Sequence, residues 1–561
     1  MRWPAGRFCM GVLVVSWCAA ARAAAPVLDY LYPAGGQRGT TVAVSAGGKF
    51  ESWPVKGWAD SSEIHIEPAA ANGTFSVKIG ENVATGPHLV RLYNADGASA
   101  LRVFMVGQQR EVMETEPNDE LGKVKTIQGL PITINGVLEK PGDVDAFAFR
   151  LEAGQRLVAS LGGRRLGAPM DPMLHLYDEA GNELAFSHDG FGLDPLLVYQ
   201  ARLSGTYIVR VSAFAFPPAA DVKLTGGKSD IYRLSLTSGF FARAAFPAGI
   251  KRGERKTLEL LNVGDVGEKS TLEVDATKVR PNQDHFHIPT SDGEGRLRVE
   301  VGNGPEMMED SARGGGVLAP PFAINGRIAS AGEEDRFEFN AKKSEKLIIS
   351  LRAGSLGSSL DALLRLEDSA QKELLRNDDS VGDGDLRVEW NPPADGAYRA
   401  IIGDMKRQGN KDSTYRLAIE KALPGITAAV AGHEFRVMAG KTTSIKVNVS
   451  RLNGHSGGLI VVAADLPIGV SAGSAAVGEK GGEVTIDVAA AAEAKGASIP
   501  IRLMVLGTDP DSPFAQAASF DLSKEAGQQL IASSESIWLT VQPRPPATQP
   551  TTKPANSKAA L

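Results

Sequence analysis

The chain has 561 residues, of which 43% are hydrophobic and 22% charged, so it is too long for one core and too apolar for wholesale disorder. A formal net charge of −6 without a basic cluster argues against a nucleic-acid binder. The 62 glycines and 32 prolines, with only 6% aromatic residues, favour many turns and short strands.

Residues 1–25 have the features of a secretory signal peptide. Arg2 and Arg7 precede an apolar run, residues 8–21, that is too short to span a membrane. Ala21-Arg22-Ala23 places small residues at the positions that a signal peptidase reads. We therefore expect export to the periplasm, the cell surface or the extracellular space, with an uncleaved anchor as the alternative.

Both cysteines, Cys9 and Cys18, lie in this segment, so the exported domains are expected to have no disulfide bonds. No later apolar run reaches the length of a transmembrane helix. Stability must therefore come from β cores that are large enough to fold alone, helped in places by bound cations.

Residues 26–107 are predicted to form a small β-sandwich, because short runs of alternating apolar residues are separated by Gly, Asn and Pro. The opening segment, 32–40, resembles the start of immunoglobulin-like IPT/TIG modules. A similar pattern at 246–254 predicts a second immunoglobulin-like module at 241–304.

One segment occurs twice. Asn135-Gly136 and Asp145-Ala146-Phe147-Ala148-Phe149 correspond to Asn325-Gly326 and Asp335-Arg336-Phe337-Glu338-Phe339, with the same separation between both pairs of motifs. Both copies end with Tyr-Arg-Leu, at Tyr232 and Tyr415. An ungapped match over roughly fifty residues indicates one module used twice. Antiparallel β-sandwiches are therefore predicted at 108–240 and 305–422, with alternate phenylalanines on one strand face.

The last third of the chain is predicted to hold one more sandwich. Apolar runs at 444–449 and 501–505 indicate a third immunoglobulin-like module at 423–543. The tail at 544–561 is rich in Pro, Thr and Ala without an apolar period, so we expect it to be disordered.

Acidic residues are concentrated at the start of the first copy. In Glu114-Thr115-Glu116-Pro117-Asn118-Asp119, alternate side chains would project from one face of an extended strand, and Asp143 and Asp145 would share a face of a second segment. Calcium takes about 6–8 oxygen ligands, and carboxylates this dense would repel one another without a cation. No Cys or His lies nearby, which disfavours zinc. A turn with solvated acids is the alternative.

Four motifs of the first copy occur in the order known from a bacterial family. They are Glu-x-Glu-Pro-Asn-Asp, Gly-Asp-x-Asp-x-Phe-x-Phe, Asp-Pro-x-Leu-x-Leu-Tyr-Asp and Gly-Thr-Tyr. The copy thereby resembles the pre-peptidase C-terminal (PPC) domain family, which includes collagen-binding modules of secreted collagenases. The resemblance implies a jelly-roll-like sandwich and these calcium ligands: Glu114, Glu116, Asn118, Asp119, Asp143 and Asp145.

The second copy departs from this pattern. The separation between Asn135 and Asn325 also holds for the other motifs. If it is applied to the acidic segment, Glu116 matches Glu306, and the counterpart reads Glu306-Met307-Met308-Glu309-Asp310, without the proline and the asparagine. Asp143 is replaced by Glu333, whereas Asp145 is kept as Asp335. The sequence therefore predicts calcium in the first copy and gives little support for it in the second.

Motifs of catalysis are weak. Gly454-His455-Ser456-Gly457-Gly458 fits Gly-x-Ser-x-Gly, but β-like runs on both sides favour a hairpin loop over the strand-to-helix elbow that a nucleophile needs. His285-Phe286-His287 would put two imidazoles on one strand face without the further ligands of a zinc site. We expect that the protein is not an enzyme.

The predicted fold class is all-β, a multi-domain string of antiparallel β-sandwiches in which jelly-roll-like PPC modules alternate with immunoglobulin-like modules. The predicted function is non-catalytic binding or spacing, with a protein fibre, a polysaccharide or an envelope component as partner. An accessory subunit for a separately encoded protease or other hydrolase is the alternative. Tyr177, Tyr199 and Phe214 are candidate ligand contacts, although core or edge positions explain them better.

Overall fold

The structure, a computed structural model, describes residues 24–190, 193–218, 223–238, 241–262, 270–279, 283–289, 296–378, 385–511, 513–522 and 530–544. The predicted signal segment and the C-terminal tail fall almost wholly outside these ranges. Regular structure in the described chain consists of β-strands apart from one α-helix and three 3-10 turns, so the all-β fold class is confirmed.

Residues 27–107, the N-terminal sandwich, form two sheets. One has the order β1 (Val27–Tyr32), β3 (Thr41–Lys49), β6 (Thr74–Ile79), β5 (Ile64–Pro68). The other has the order β2 (Gly35–Gln37), β9 (Arg102–Gly107), β7 (Gly86–Asn94), β4 (Lys56–Ala59), with β8 (Gly97–Ala98) against β7. In β6, Phe75, Val77 and Ile79 are buried while the residues between them are not, which is the alternation that the sequence showed.

Residues 111–237, the first repeat, form a five-stranded and a four-stranded sheet. The first has the order β10 (Glu111–Met113), β11 (Ile132–Val137), β18 (Ile231–Thr237), β13 (Arg156–Gly162), β16 (Leu196–Gln200). The second has the order β12 (Asp145–Leu151), β17 (Gly205–Ala215), β14 (Met170–Asp178), β15 (Glu183–Ser187). The 3-10 turns are Leu121–Lys123 and Arg164–Leu166.

Residues 306–421, the second repeat, have the same topology, which confirms the repeat. One sheet has the order β25 (Glu306–Met308), β26 (Phe322–Arg327), β33 (Thr414–Lys421), β28 (Leu347–Arg352), β31 (Leu386–Trp390). The other has the order β27 (Glu334–Ala341), β32 (Gly396–Asp404), β29 (Ala362–Asp368), β30 (Glu373–Asn377). Helix α1 (Glu309–Gly314) and the 3-10 turn Gly354–Leu356 complete it. Phe147, Phe149, Phe337 and Phe339 are all buried, as predicted.

Residues 242–302, the middle sandwich, form two three-stranded sheets. Their orders are β19 (Ala242–Phe246), β21 (Arg255–Asn262), β22 (Ser270–Asp275) and β20 (Gly249–Lys251), β24 (Arg296–Gly302), β23 (His285–Pro289). Among the described residues, its core cluster has seven buried members.

Residues 425–542 form the C-terminal sandwich. One sheet has the order β34 (Gly425–Val430), β36 (Thr442–Leu452), β40 (Gly482–Ala490), β38 (Val470–Ala472). The other has the order β35 (Glu434–Met438), β45 (Ile537–Gln542), β41 (Ala497–Gly507), β37 (Leu459–Ala464), β39 (Ala475–Ala476), with β42 (Ala515–Ala517) against β41. A small ladder joins β43 (Phe520–Asp521) and β44 (Ser533–Ser534).

Each of the five units adds one short parallel strand at a sheet edge to its otherwise antiparallel ladders. These strands are β2, β10, β20, β25 and β35. A strand that pairs in parallel with its neighbour ends at the same end of the sheet as that neighbour. In both repeats it therefore delivers the following segment to the end of the sandwich where β11 or β26 finishes.

The C-terminal sandwich also contacts the N-terminal one, which the order of domains along the chain does not predict. Trp538, 1% exposed, lies with its ring 5.8 Å from that of Trp58 and 5.0 Å from that of Tyr93. The guanidinium of Arg91 lies 5.0 Å from the Trp538 ring and donates to the His433 carbonyl at 3.5 Å. One continuous hydrophobic cluster joins these two sandwiches and the first repeat.

No helix within the described part of the chain combines the length and the apolar character needed to cross a membrane.

Candidate functional site

The six predicted calcium ligands converge where β10 ends and β12 begins. Parallel pairing of β10 with β11 delivers the chain to this place, and the turn before β12 brings Asp143 and Asp145 there as well. Glu114, Glu116 and Asn118 do not share a strand face as predicted, because β10 ends before them and an irregular segment follows. That segment instead folds so that Glu116 lies between two groups of acids.

The carboxylates form two overlapping triads. One oxygen each of Glu114, Glu116 and Asp145 lies within 4.8 Å of the others, and the same is true of Glu116, Asp119 and Asp143. Ligand oxygens of calcium lie about 2.3–2.6 Å from the ion, so oxygens that surround one ion fall within such a distance of one another. Glu116 belongs to both triads and links them.

Four of the predicted ligands carry buried polar atoms without a hydrogen-bond partner. Within the described residues these atoms are Oδ1 and Nδ2 of Asn118 and Oδ1 of Asp119, Asp143 and Asp145. Asn118 is 6% exposed and Asp145 is fully buried. A buried polar atom without a partner costs about 1–3 kcal/mol, so folded proteins rarely leave several together. Carboxylate and amide oxygens suit a hard cation such as Ca²⁺.

The hydroxyl of Tyr232 organises the buried end of the cluster. It donates to Asp145 Oδ2 at 2.6 Å and lies 2.9 Å from Glu114 Oε2. Gly136 leaves room for it, since a Cβ at that position would lie 2.2 Å from the hydroxyl oxygen. The sequence signals for this role were the repeated Asn-Gly and Tyr-Arg-Leu motifs, but the role itself was not predicted.

The next residue, Arg233, anchors the start of the acidic segment. Its buried guanidinium donates to both carboxylate oxygens of Glu111 at 2.8 Å and to Asn135 Oδ1 at 3.0 Å. Bidentate pairs of this kind fix direction as well as distance. The pair therefore sets where β10 lies, and with it the position of the ligands that follow.

A side chain of the N-terminal sandwich also reaches the cluster. Tyr32 OH donates to the Asn135 carbonyl at 3.3 Å and lies 3.5 Å from Glu114 Oε1. Burial, followed by the charge of Glu114, raises the pKa of Tyr32, so its hydroxyl stays a neutral donor. The cluster thus lies at the junction between two units of the fold.

The cluster is acidic and open on one side. Lys140 is the one basic side chain of the described chain within ion-pair distance of the six predicted ligands, with Nζ 3.5 Å from Asp143 Oδ1 and 4.0 Å from Asp119 Oδ2. Because Lys140 is 67% exposed, it neutralises little of this charge. A cavity of 360 Å³, lined in part by residues 112–118, gives access to the cluster.

Burial raises the pKa values of the two innermost carboxyls. Loss of hydration, followed by the charge of Glu114, raises the pKa of Asp145 to about 9. Burial raises the pKa of Glu114 to about 7. Two carboxylates this close disfavour double ionisation, so Asp145 holds a proton at neutral pH when no cation is bound.

The metal-free protein is therefore expected to lose stability as the pH rises. Since the folded-state pKa values of Glu114 and Asp145 are raised, the folded state binds more protons than the unfolded state between about pH 4 and about pH 9. The contribution of the two protonated carboxyls to folding stability is complete below about pH 4. It is lost as the pH rises through the folded-state pKa values of about 7 for Glu114 and about 9 for Asp145. Urea unfolding in a chelator across this range measures the slope, and Glu114→Gln with Asp145→Asn should flatten it. Equal slopes in the wild type and the double variant would contradict the prediction.

The second repeat arranges its acids differently. β25 pairs with β26 as β10 pairs with β11, which makes Glu306 the counterpart of Glu111 and Glu309 the counterpart of Glu114. The predicted alignment of this segment, which matched Glu306 with Glu116, was therefore wrong. Helix α1 replaces the irregular segment of the first repeat.

Arg313, on α1, lies among the carboxylates of the second repeat. Its guanidinium hydrogen-bonds to Asp335, donates to Glu309 Oε2 at 3.1 Å and lies 4.0 Å from Glu333 Oε1. Tyr415 donates to Asp335 Oδ2 at 2.5 Å, as Tyr232 does to Asp145 in the first repeat. Because a basic side chain lies between its acids, this cluster does not fit a calcium ion.

Among the described residues, neither of the two weak motifs belongs to a group of three or more potential metal ligands. His285 and His287 lie on β23 with their rings 5.1 Å apart, and His285 pairs with Asp284 at 2.7 Å. Ser456 lies between β36 and β37, which belong to different sheets, so the predicted hairpin loop is instead a connection between sheets. It is no strand-to-helix elbow either.

One further group of metal-ligand type lies on the first repeat. Side-chain atoms of Asp171, His188 and Asp189 fall within 4.8 Å of one another. Arg164 lies 3.6 Å from Asp171, and His188 lies 3.3 Å from it, so ion pairs with these basic side chains offset part of the charge of the group.

Comparison with known proteins found a short sequence similarity. No family model matches the chain. A probable subtilase-type serine protease of Deinococcus radiodurans is 34% identical over 100 residues, which cover 18% of this chain and 14% of the protease. The eight N-terminal immunoglobulin domains of the Down syndrome cell adhesion molecule align over 89% of this chain and 61% of theirs, with 12% identity and a TM-score of 0.14. A TM-score this low supports no statement about fold or function.

Proposed function

We propose that this chain is an exported, non-catalytic binding and spacer protein of the cell envelope or the extracellular space, with a PPC-like first repeat that is stabilised by Ca²⁺. The observation that carries the proposal is the group of buried oxygens without a hydrogen-bond partner on Asn118, Asp119, Asp143 and Asp145. The exposed Lys140 lies 3.5 Å from the Asp143 oxygen. The partner of the chain is an extracellular polymer, either a protein fibre or a polysaccharide, or an envelope component.

Calcium fits the donor set of the first repeat. The six ligand residues offer only carboxylate and amide oxygens: Glu114, Glu116, Asn118, Asp119, Asp143 and Asp145. Bound Ca²⁺ supplies the positive charge that this cluster lacks. With that charge present, the proton of Asp145 leaves and Tyr232 still donates to the resulting carboxylate.

The ligands come from two parts of the chain, which are joined by a hydrogen bond from the N–H of Ala146 to the carbonyl oxygen of Asn118 at 3.1 Å. Residues 114–119 are irregular, whereas Asp145 begins a core strand. A shared cation would fix the irregular segment against the first repeat. Since Tyr32 contacts the same cluster, this would also fix the N-terminal sandwich relative to the repeat. Calcium would thus stiffen the junction, which suits a spacer.

An aromatic surface on the first repeat supports the binding role. His175 and Tyr177 on β14 and Phe186 on β15 lie on the sheet face opposite the main core. There Phe186 is 52% exposed, whereas Tyr177 is half-buried against a small cluster of Ala146, Ala148 and Ile208. The ring of His175 lies 4.7 Å from that of Phe186 and is stacked on Tyr177 at 6.2 Å. Rings held side by side on a rigid sheet can pack on the apolar faces of sugars or side chains. Tyr199, also predicted as a contact, packs near Tyr207 against the core instead.

The second repeat carries charged residues at the equivalent positions, although its fold is the same. Strands β29 and β30 pair in the register of β14 and β15, so the three equivalent positions are Arg365, Glu367 and Arg376. Arg365 lies 3.3 Å from Glu367, and Arg376 lies 3.2 Å from Glu373. Ion pairs of this kind are ordinary on the outer face of a sheet. The aromatic residues of the first repeat are therefore not required by the fold.

Co-sedimentation with insoluble polymers tests the binding role. The full-length chain should bind one class among collagen fibres, peptidoglycan, chitin and cellulose, and Tyr177→Ser with Phe186→Ser should weaken binding at least about tenfold, because aromatic anchors dominate such contacts. The matched control is Glu367→Ser with Arg376→Ser on the second repeat, which should not change binding. Equal loss in both variants, or binding to none of the polymers, would count against the role.

An accessory subunit of a separately encoded protease or other hydrolase is the second candidate. The similarity over 100 residues to a subtilase-type protease favours it, because modules that accompany a catalytic domain in one chain are also found apart from it. A hydrolase whose rate on a polymer changes when the purified chain is added would support this alternative. A rate that does not depend on the chain would favour the stand-alone binding protein.

A further inference from the structure

We propose that Arg313 is the resident cation of the second repeat, and that its guanidinium replaces there the calcium ion that the first repeat binds. One copy of the module would thus depend on metal and the other would not. This inference rests on the calcium site proposed for the first repeat.

The acids around Arg313 are the counterparts of the proposed calcium ligands. Glu309 accepts the N–H of Arg327 at 3.3 Å, as Glu114 accepts the N–H of Val137 at 2.6 Å. Asp335 accepts the hydroxyl of the tyrosine in Tyr-Arg-Leu, as Asp145 does in the first repeat. Glu333 follows Gly332 as Asp143 follows Gly142. The carboxylates therefore share one framework in both copies.

The oxygen that lacks a partner in the first repeat has one in the second. Asp145 Oδ1 is buried and unpartnered, whereas Asp335 Oδ1 accepts a hydrogen bond from Arg313. Among the buried unpartnered atoms of the described chain there is no oxygen of Glu309, Glu333 or Asp335. A delocalised guanidinium with several donors can serve several carboxylates at once, which a lysine cannot do as well.

Local sequence decides which cation each copy uses. In the second repeat α1 places Glu309 and Arg313 four residues apart on one helix face, with Ala312 buried beneath them. At the position of Ala312 the first repeat has Pro117, whose ring and missing N–H are unfavourable inside a helix. At the position of Arg313 the first repeat has Asn118. Its neutral amide can supply an oxygen ligand to a cation but carries no positive charge of its own.

The first test uses the full-length chain in a chelator, so that calcium plays no part. Hydrogen exchange of β26 and β33 is followed in the wild type, Arg313→Gln, Asp335→Asn and the double variant. We expect Arg313→Gln to raise the local opening constant roughly tenfold, because it leaves Asp335 buried and unpaired, and we expect Asp335→Asn to reverse most of this effect. Equal exchange in the wild type and Arg313→Gln would overturn the proposal.

The second test adds calcium to a chain whose first-repeat site is disabled by Asp143→Asn and Asp145→Asn. With Arg313 present, calcium should not change exchange in the second repeat, whereas with Arg313→Gln it should slow exchange by binding the freed acids. Slower exchange in the chain that keeps Arg313 would overturn the proposal. Calcium without effect on the first repeat of the wild type would instead refute the calcium site there, and the chelator experiment would still decide the role of Arg313.

Discussion

Removal of calcium is expected to loosen the first repeat and leave the second unchanged. Binding to the folded state alone stabilises it by about 2.7 kcal/mol at a free ion concentration about 100 times the Kd, and by about 4.1 kcal/mol at about 1,000 times the Kd. In a chelator this contribution is lost, so opening of β11 and β18 becomes easier. Hydrogen exchange of the full-length chain, with and without calcium, measures this strand by strand.

The second repeat is the internal control for this experiment. Its strands β26 and β33 have the same topology as β11 and β18, and Arg313 lies among the acids of this repeat. Asp143→Asn with Asp145→Asn should abolish the calcium effect on the first repeat. Equal protection of β11 and β18 in both conditions, or an equal loss in both repeats, would show that the acidic cluster is no calcium site.

Substitution of Trp538 by alanine is expected to destabilise the C-terminal sandwich and to detach it from the N-terminal one. Trp538 is 1% exposed, and truncation of a buried Trp costs about 3–5 kcal/mol. The change also removes the ring that packs against Trp58 and Tyr93 and lies beneath the guanidinium of Arg91. Urea unfolding measures the loss of stability, and small-angle X-ray scattering measures the radius of gyration, which should increase.

Trp58→Ala separates the two effects, because Trp58 belongs to the N-terminal sandwich and is only half-buried. It should raise the radius of gyration while it costs less stability than Trp538→Ala. An unchanged radius in both variants would mean that the contact between the two sandwiches does not hold them together in solution.

The repeat was predictable from sequence because its motifs have direct structural causes. Gly136 leaves space for the hydroxyl of Tyr232, and Asn135 accepts a hydrogen bond from Arg233. These residues are distant in sequence but meet in the strand pair β11–β18, so the same residue types recur in both copies. A composition or periodicity argument alone would not have joined them.

The position of the acidic segment was harder to predict. The prediction of one strand face for Glu114, Glu116 and Asn118 was wrong, because alternation holds only while the chain stays extended, and β10 ends before these residues. The alignment of the acidic segment in the second repeat was also wrong, because the pairing of β25 with β26, which sets the register, cannot be read from spacing when a helix replaces an irregular segment.

The sequence by itself determined the all-β class, the repeat and the residue types of the first acidic cluster, because these depend on local alternation and on motifs that recur. Only the tertiary structure decided that Tyr232 and Tyr32 reach the cluster, that Arg313 lies among the acids of the second repeat, and that Trp538 docks the last sandwich on the first. Those contacts join residues far apart in the chain, and their partners are set by how strands and sandwiches pack.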